Sequence, residues 1–167
     1  MTKPTADAAI AGLFDTHAPA LVLYARQWVG AAEAEDVLQR VFVRMLELCL
    51  PSNPRSWLFR CVRNEAIATW RSSRRRTRRE QSVAARAPAW LVASPDDPLD
   101  VLAAQAALET LSDDQREAVT LRLWAGLTLT EIADVTGVAP STIQRRYEAA
   151  LDALRQKLEQ PCRNRTP

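Results

Sequence analysis

Apolar residues recur at helical spacing through the first part of the chain. Between Ala9 and Val29 they are Leu13, Phe14, Leu21, Tyr24 and Trp28, and between Glu33 and Leu48 they are Val37, Leu38, Val41, Phe42, Met45 and Leu46. The stretch Leu50-Pro51-Ser52-Asn53-Pro54 breaks the pattern, and Ser56 to Arg71 resumes it with Trp57, Leu58, Cys61, Val62, Ala66 and Ile67. Residues 81–98 change character. Pro88, Pro95 and Pro98, with Ser94, Asp96 and Asp97, mark an irregular linker, and its apolar island Trp90-Leu91-Val92 is expected to dock on something. A second helical set follows over residues 99–159. No alternating apolar run is bounded by turn signals, so the pattern predicts an all-α protein. It divides into two small helical domains, 7–80 and 99–159, joined by a flexible linker, 81–98.

The second set carries the clearest local signals. Ser112-Asp113-Asp114-Gln115 reads as a capping box, and Thr128-Leu129-Thr130-Glu131 repeats it one helix later. The stretch from Thr128 to Leu151 then reads as a helix-turn-helix. A short helix, Thr128 to Val135, buries Leu129, Ile132 and Ala133, the last being small where two helices must cross closely. Gly137 suits the left-handed residue that ends a helix, Val138 is expected to plug the core, and Pro140 suits the first position of the next helix. That helix, to about Lys157, presents Ser141, Thr142, Gln144, Arg145 and Arg146 in its first two turns, with Ile143, Tyr147, Ala150 and Leu151 able to face inward. In this motif the N-terminal turns of the second helix approach base edges and phosphates in the major groove. Glutamine suits adenine and arginine suits guanine, while Ser141, Thr142 and Arg146 suit either phosphates or bases.

Composition narrows the picture. Hydrophobic residues make up 47% of the 167, enough for ordinary cores, and only four glycines are present. Cys49, Cys61 and Cys162 stand far apart, which argues against a disulfide framework or zinc site and suits a reducing cytoplasm. With a single histidine, His17, and no carboxylate cluster outside the linker, neither a catalytic centre, a metal site nor a cofactor is expected. The first residues lack the features of a signal peptide, and no apolar run is expected to approach the ~20 residues of a membrane span.

The net charge of +2 hides an asymmetry. Arg71, Arg74, Arg75, Arg76, Arg78 and Arg79 crowd into nine residues with no acid among them, a density that phosphates relieve. A solvated basic face is the plainer alternative.

The first half resolves which DNA-binding class this is. Ala34-Glu35-Asp36-Val37-Leu38-Gln39-Arg40-Val41-Phe42 places Asp36, Gln39 and Arg40 on one polar stripe. After the break comes PRSWLFRCVRNEAIATWRSSRRR, and the later half supplies Leu111, Arg116, Glu131, Ile132, Ala133, Gly137, Val138, Thr142, Ile143 and Arg146 in order. Together these motifs, covering about residues 10–158, resemble the extracytoplasmic-function class of bacterial sigma factors. The resemblance implies an alternative sigma factor that binds core RNA polymerase and directs promoter-specific initiation. It places Asp36, Gln39, Arg40 and Phe42 on the helix docking against the polymerase clamp, with Phe42 more structural than contacting. Trp57, Arg60, Arg63, Asn64, Arg71, Arg74 and Arg75 fall on the segment that engages and melts the −10 element, and the helix from Pro140 reads the −35 element. The second domain would seat on the polymerase flap, and an anti-sigma factor or other inhibitory regulator is implied as a further partner. Melting also needs a surface for an unstacked base, for which Trp57 and Trp70 are candidates, as both are for a core.

This chain departs from the family pattern in four places. Cys49 to Arg55 is a short, proline-bearing loop without glycine; Ala68 and Ala149 replace a frequent aspartate and arginine; and Leu111-Ser112 replaces Leu-Pro. Two other classes fit the sequence less well. A stand-alone regulator leaves the arginine-rich segment without purpose, and a nuclease or recombinase lacks its carboxylates.

Overall fold

The computed structural model describes residues 6–48, 51–80 and 106–163, and their side chains over 8–48, 51–75 and 106–157. The linker 81–98 with Trp90, the Cys49-Leu50 part of the loop, and the side chains of Arg76, Arg78, Arg79 and Cys162 lie outside that description. The described residues are helical with turns between the helices, and they divide into two compact units, Met1–Pro88 and Ala89–Pro167.

The first unit packs α1 (Ala6–Ala25), α2 (Ala31–Glu47) and α3 (Pro54–Glu80) into a three-helix bundle in which each helix touches the other two. On α2 the buried residues are Ala34, Val37, Leu38, Val41, Phe42 and Met45, the three-then-four rhythm of one helical face. They meet Leu21 and Tyr24 of α1 and Leu58, Phe59, Val62 and Ala66 of α3. Tyr24 lies 5.7 Å from Phe59 and edge-on to Trp28 at 5.1 Å, while Phe14 meets Phe42 edge-on at 5.0 Å. The sequence pattern carried α1 to Val29, but the helix ends at Ala25. Turn hydrogen bonds to Tyr24 and Ala25 carbonyls take over, and Gly30 then opens α2 by donating its N–H to Glu33 Oε2 at 2.9 Å.

By length and composition Ala8–Ala25 is apolar enough to cross a membrane, with mean hydropathy 1.3, which corrects the expectation that no such run exists. Its Ile10, Leu21, Tyr24 and Ala25 are spent on the bundle core. The helix α3 starts at Pro54, with Asn53 Oδ1 accepting from the Ser56 N–H at 3.2 Å, and it continues straight through the arginine run to Glu80.

The second unit contains α4 (Asp113–Leu123), α5 (Leu129–Thr136) and α6 (Pro140–Arg163), preceded by a helical stretch over 106–109. Both capping boxes form. Ser112 Oγ accepts from the Gln115 N–H, and Gln115 Oε1 accepts from the Ser112 N–H at 3.1 Å; Thr128 and Glu131 repeat the exchange. Gly137 closes α5 with φ +76°, its N–H donating to the Ala133 carbonyl at 2.8 Å. Leu121, Leu127, Ile132, Ala133, Ile143 and Ala150 form the core, and Val138 is only half-buried at its rim. Arg116 is structural: it donates to the carbonyls of Leu108 at 3.1 Å and Leu111 at 2.9 Å, tying the start of α4 to the chain before it.

Candidate nucleic-acid interface

Two separate surfaces gather the candidate residues, one in each unit. On α6 the inward face takes Ile143 and Ala150, which leaves Ser141, Gln144, Arg145, Glu148 and Ala149 exposed on the opposite side. Arg145 makes no ion pair or hydrogen bond among the described residues, so its five donors are open to a base edge or phosphate. Gln144 is exposed too, and its Nε2 donates to Glu148 Oε1 at 2.9 Å, one turn along. Thr142 is half-buried, and its backbone N–H is taken by the Ala139 carbonyl at 2.9 Å. Arg146 differs from its neighbour: it lies 2.6 Å from Asp114 Oδ2, on the first turn of α4, and keeps only 26% of its side-chain surface exposed.

The second surface is the outer face of α3. Trp57, Arg60, Asn64, Arg71 and Arg75 follow one another at intervals of three, four, seven and four, so they share a stripe opposite Leu58, Phe59, Val62 and Ala66. At about 1.5 Å per residue that stripe runs for roughly 27 Å. Arg60, Asn64, Arg71, Arg74 and Arg75 are exposed, while Trp57 and Arg63 are half-buried. Beside the stripe, the Arg74 guanidinium sits 5.0 Å from the centroid of the Trp70 ring, and Trp70 itself is exposed. This holds a flat aromatic and a cation together, the pairing that suits an unstacked base beside a phosphate.

On α2, Asp36, Gln39 and Arg40 are all exposed, while Phe42 is buried and serves the core. Arg40 is already engaged. Its Nε donates to Glu65 Oε1 at 2.8 Å and its Nη2 to Thr69 Oγ1 at 3.2 Å, bracing α2 against α3, with Arg44 3.9 Å from the same carboxylate. Sequence reasoning missed Val43 and Leu46, which continue the Asp36–Gln39 stripe as exposed large apolar residues. Their helical spacing from Asp36 and Gln39 was the available signal; Leu46 had been read only as one of the apolar residues at helical spacing. It also missed Asp114 and Glu65, whose partners lie too far along the chain for any local rule.

Burial, and then the Arg55 charge, lower the His17 pKa; burial raises that of Cys61 against the opposing pull of Arg60 and Arg44. The described residues hold no group of three or more His, Cys, Asp or Glu side chains able to bind a metal.

Comparison with known proteins decides the class. The Sigma-70 region 2 family model matches residues 13–76, and the Sigma-70, region 4 model matches residues 102–154. The ECF RNA polymerase sigma factor SigL of Mycobacterium tuberculosis is 33% identical over 157 residues, covering 89% of this chain and 88% of SigL. The chain belongs to the extracytoplasmic-function sigma factors. Among solved structures, the sigma factor RpoE of Bartonella quintana, in complex with the anti-sigma factor NepR, is similar with a TM-score of 0.70 and 27% identity, over 89% of this chain and 96% of RpoE. CnrH, in complex with the cytosolic domain of CnrY, shares the fold at a TM-score of 0.61 and 22% identity, over 90% of this chain and 88% of CnrH.

As an alternative sigma factor, the protein is a regulatory component that directs promoter-specific transcription through core RNA polymerase and promoter DNA. Its α1–α3 bundle, but for the start of α1 and the end of α3, falls within the region 2 match, and α4–α6, but for the end of α6, within the region 4 match.

Proposed function

We propose that this sigma factor divides promoter recognition between its two surfaces. In the first domain, 7–80, Asp36 and Gln39 with Val43 and Leu46 dock α2 against the polymerase clamp. Arg40 holds α2 and α3 in register beneath that contact. The outer face of α3, through Trp57, Arg60, Arg63, Asn64, Arg71, Arg74 and Arg75, engages the −10 element and the strand released when it melts. In the second domain, 99–159, Ser141, Thr142, Gln144 and Arg145 address the −35 element, Arg146 anchors the helix that carries them, and the domain seats on the polymerase flap. The segment 81–98 links the two domains along the chain.

The observation that carries this division is the contrast between two adjacent arginines. Arg146 is held by Asp114, whereas Arg145, exposed on the outward face, has no protein partner among the described residues. A side chain with five open donors at the start of a helix-turn-helix reader suits guanine in the major groove. The protein has no reaction of its own: it lends specificity to the polymerase, in the cytoplasm where that enzyme works. RpoE was solved with an anti-sigma factor, and a regulator of that kind is proposed for this chain also.

The test is reconstitution. Purified protein added to core RNA polymerase and a randomised promoter library should yield run-off transcripts that share two sequence elements. Absence of any gain over core polymerase alone, with protein free of co-purified inhibitor, sinks the proposal.

A further inference from the structure

An acid stands on the DNA-facing side of α6. Glu148 is exposed, shares the outward stripe with Ser141, Gln144 and Arg145, and lies opposite the buried Ile143 and Ala150. Unlike Asp152 further along, which is tied to Arg155 at 3.0 Å, Glu148 has no cation to neutralise it among the described residues. One of its oxygens accepts from Gln144 Nε2 at 2.9 Å; the other is free to accept a second hydrogen bond. A carboxylate beside DNA is repelled by phosphates and by every acceptor on a base edge, so it is tolerated only opposite a donor.

In the major groove the base donors are the amino groups of cytosine N4 and adenine N6. Adenine places its N7 acceptor beside that amino group, which a carboxylate opposes, whereas cytosine presents N4 with only a C–H beside it. We propose that Glu148 is a specificity-determining residue, its carboxylate accepting from the N4 amino group of one cytosine in the −35 element. The same carboxylate fixes the Gln144 amide, leaving that residue one N–H and its carbonyl oxygen for an adjoining base. The assignment rests on α6 being the −35 reader.

The experiment uses the full chain with core RNA polymerase and a library randomised across the −35 element. The unaltered protein enriches cytosine at one position by roughly tenfold over the other bases, the discrimination of one good base contact. Glu148→Gln keeps an oxygen to accept from Gln144 but adds an amide donor and removes the charge, so preference at that position moves from cytosine to adenine. Glu148→Ala flattens that position and leaves the rest of the element intact. If both variants reproduce the original base distribution while Arg145→Ala relaxes another position, the role of Glu148 is overturned and α6 remains the reader. If Arg145→Ala is also without effect, the role of Glu148 and the reading beneath it fall together.

Discussion

Arg146 of α6 and Asp114 of α4 lie 2.6 Å apart, although 31 residues separate them along the chain. The contact fixes the first two turns of the recognition helix to the helix before the helix-turn-helix. Both partners keep some exposure, so solvent screening limits the pair to about 1 kcal/mol or less. Asp114→Ala should therefore lower the stability of the second unit by no more than about that amount. A double-mutant cycle with Arg146→Ala, read by denaturant unfolding, should recover a coupling of that sign. Arg145→Ala should leave the same unfolding curve unmoved, because no protein partner is lost.

Arg40 and Glu65 make the equivalent brace in the first unit at 2.8 Å. Arg40→Ala should lower the melting temperature measured by circular dichroism and weaken binding to core polymerase only modestly. Leu46→Ala should do the reverse: Leu46 is 57% exposed, so its loss leaves the fold intact while removing apolar contact with the polymerase. Equal losses of binding from the two variants would contradict the separation of brace from docking surface.

Gly137 holds φ +76° at the turn between α5 and α6, and a Cβ there would meet nothing within 4 Å. The whole cost of Gly137→Ala is therefore backbone strain, about 1–2 kcal/mol. Gly137→Asn should cost less, since asparagine visits that conformation more readily. Urea midpoints of the two variants check the order.

His17 contributes a pH dependence to the first unit. Burial, and then the Arg55 guanidinium, hold its pKa below the ordinary 6.5. The unfolded chain then binds the proton more readily than the folded protein. Stability from this group is full above 6.5 and is lost as pH falls through 6.5 toward the lowered folded value. Measured at about pH 7.5 and about pH 5.5, the urea midpoint should fall further for the natural protein than for His17→Gln. An identical fall in both would show that other groups carry the dependence.

Much of this was legible in the sequence because it is local. The spacing on α2 named its buried face almost completely, the two capping boxes opened α4 and α5 as read, and Gly137 and Pro140 marked the turn. Val138 was overestimated as a core plug, since its position in the turn leaves it at the rim. What the sequence could not supply depends on register between helices. Periodicity says that Arg40 and Arg146 face outward, but only packing brings Glu65 and Asp114 beneath them and withdraws both arginines from free contact. The same limit hid Val43 and Leu46, apolar residues whose exposure follows from where α1 and α3 lie against α2. It also made the end of α1 look four residues longer than it is, because Trp28 keeps helical spacing within a turn.

The central claim is that the two surfaces read two elements separately. Run-off sequencing from a library randomised at both elements tests it most directly, comparing the natural protein with Arg145→Ala and with Arg71→Ala/Arg75→Ala in the presence of core polymerase. The account predicts that Arg145→Ala relaxes base preference at the position Arg145 reads in the −35 element and leaves the −10 element unchanged. The double variant should lower yield across all sequences and flatten its salt dependence. The same pattern of loss from both variants would contradict it.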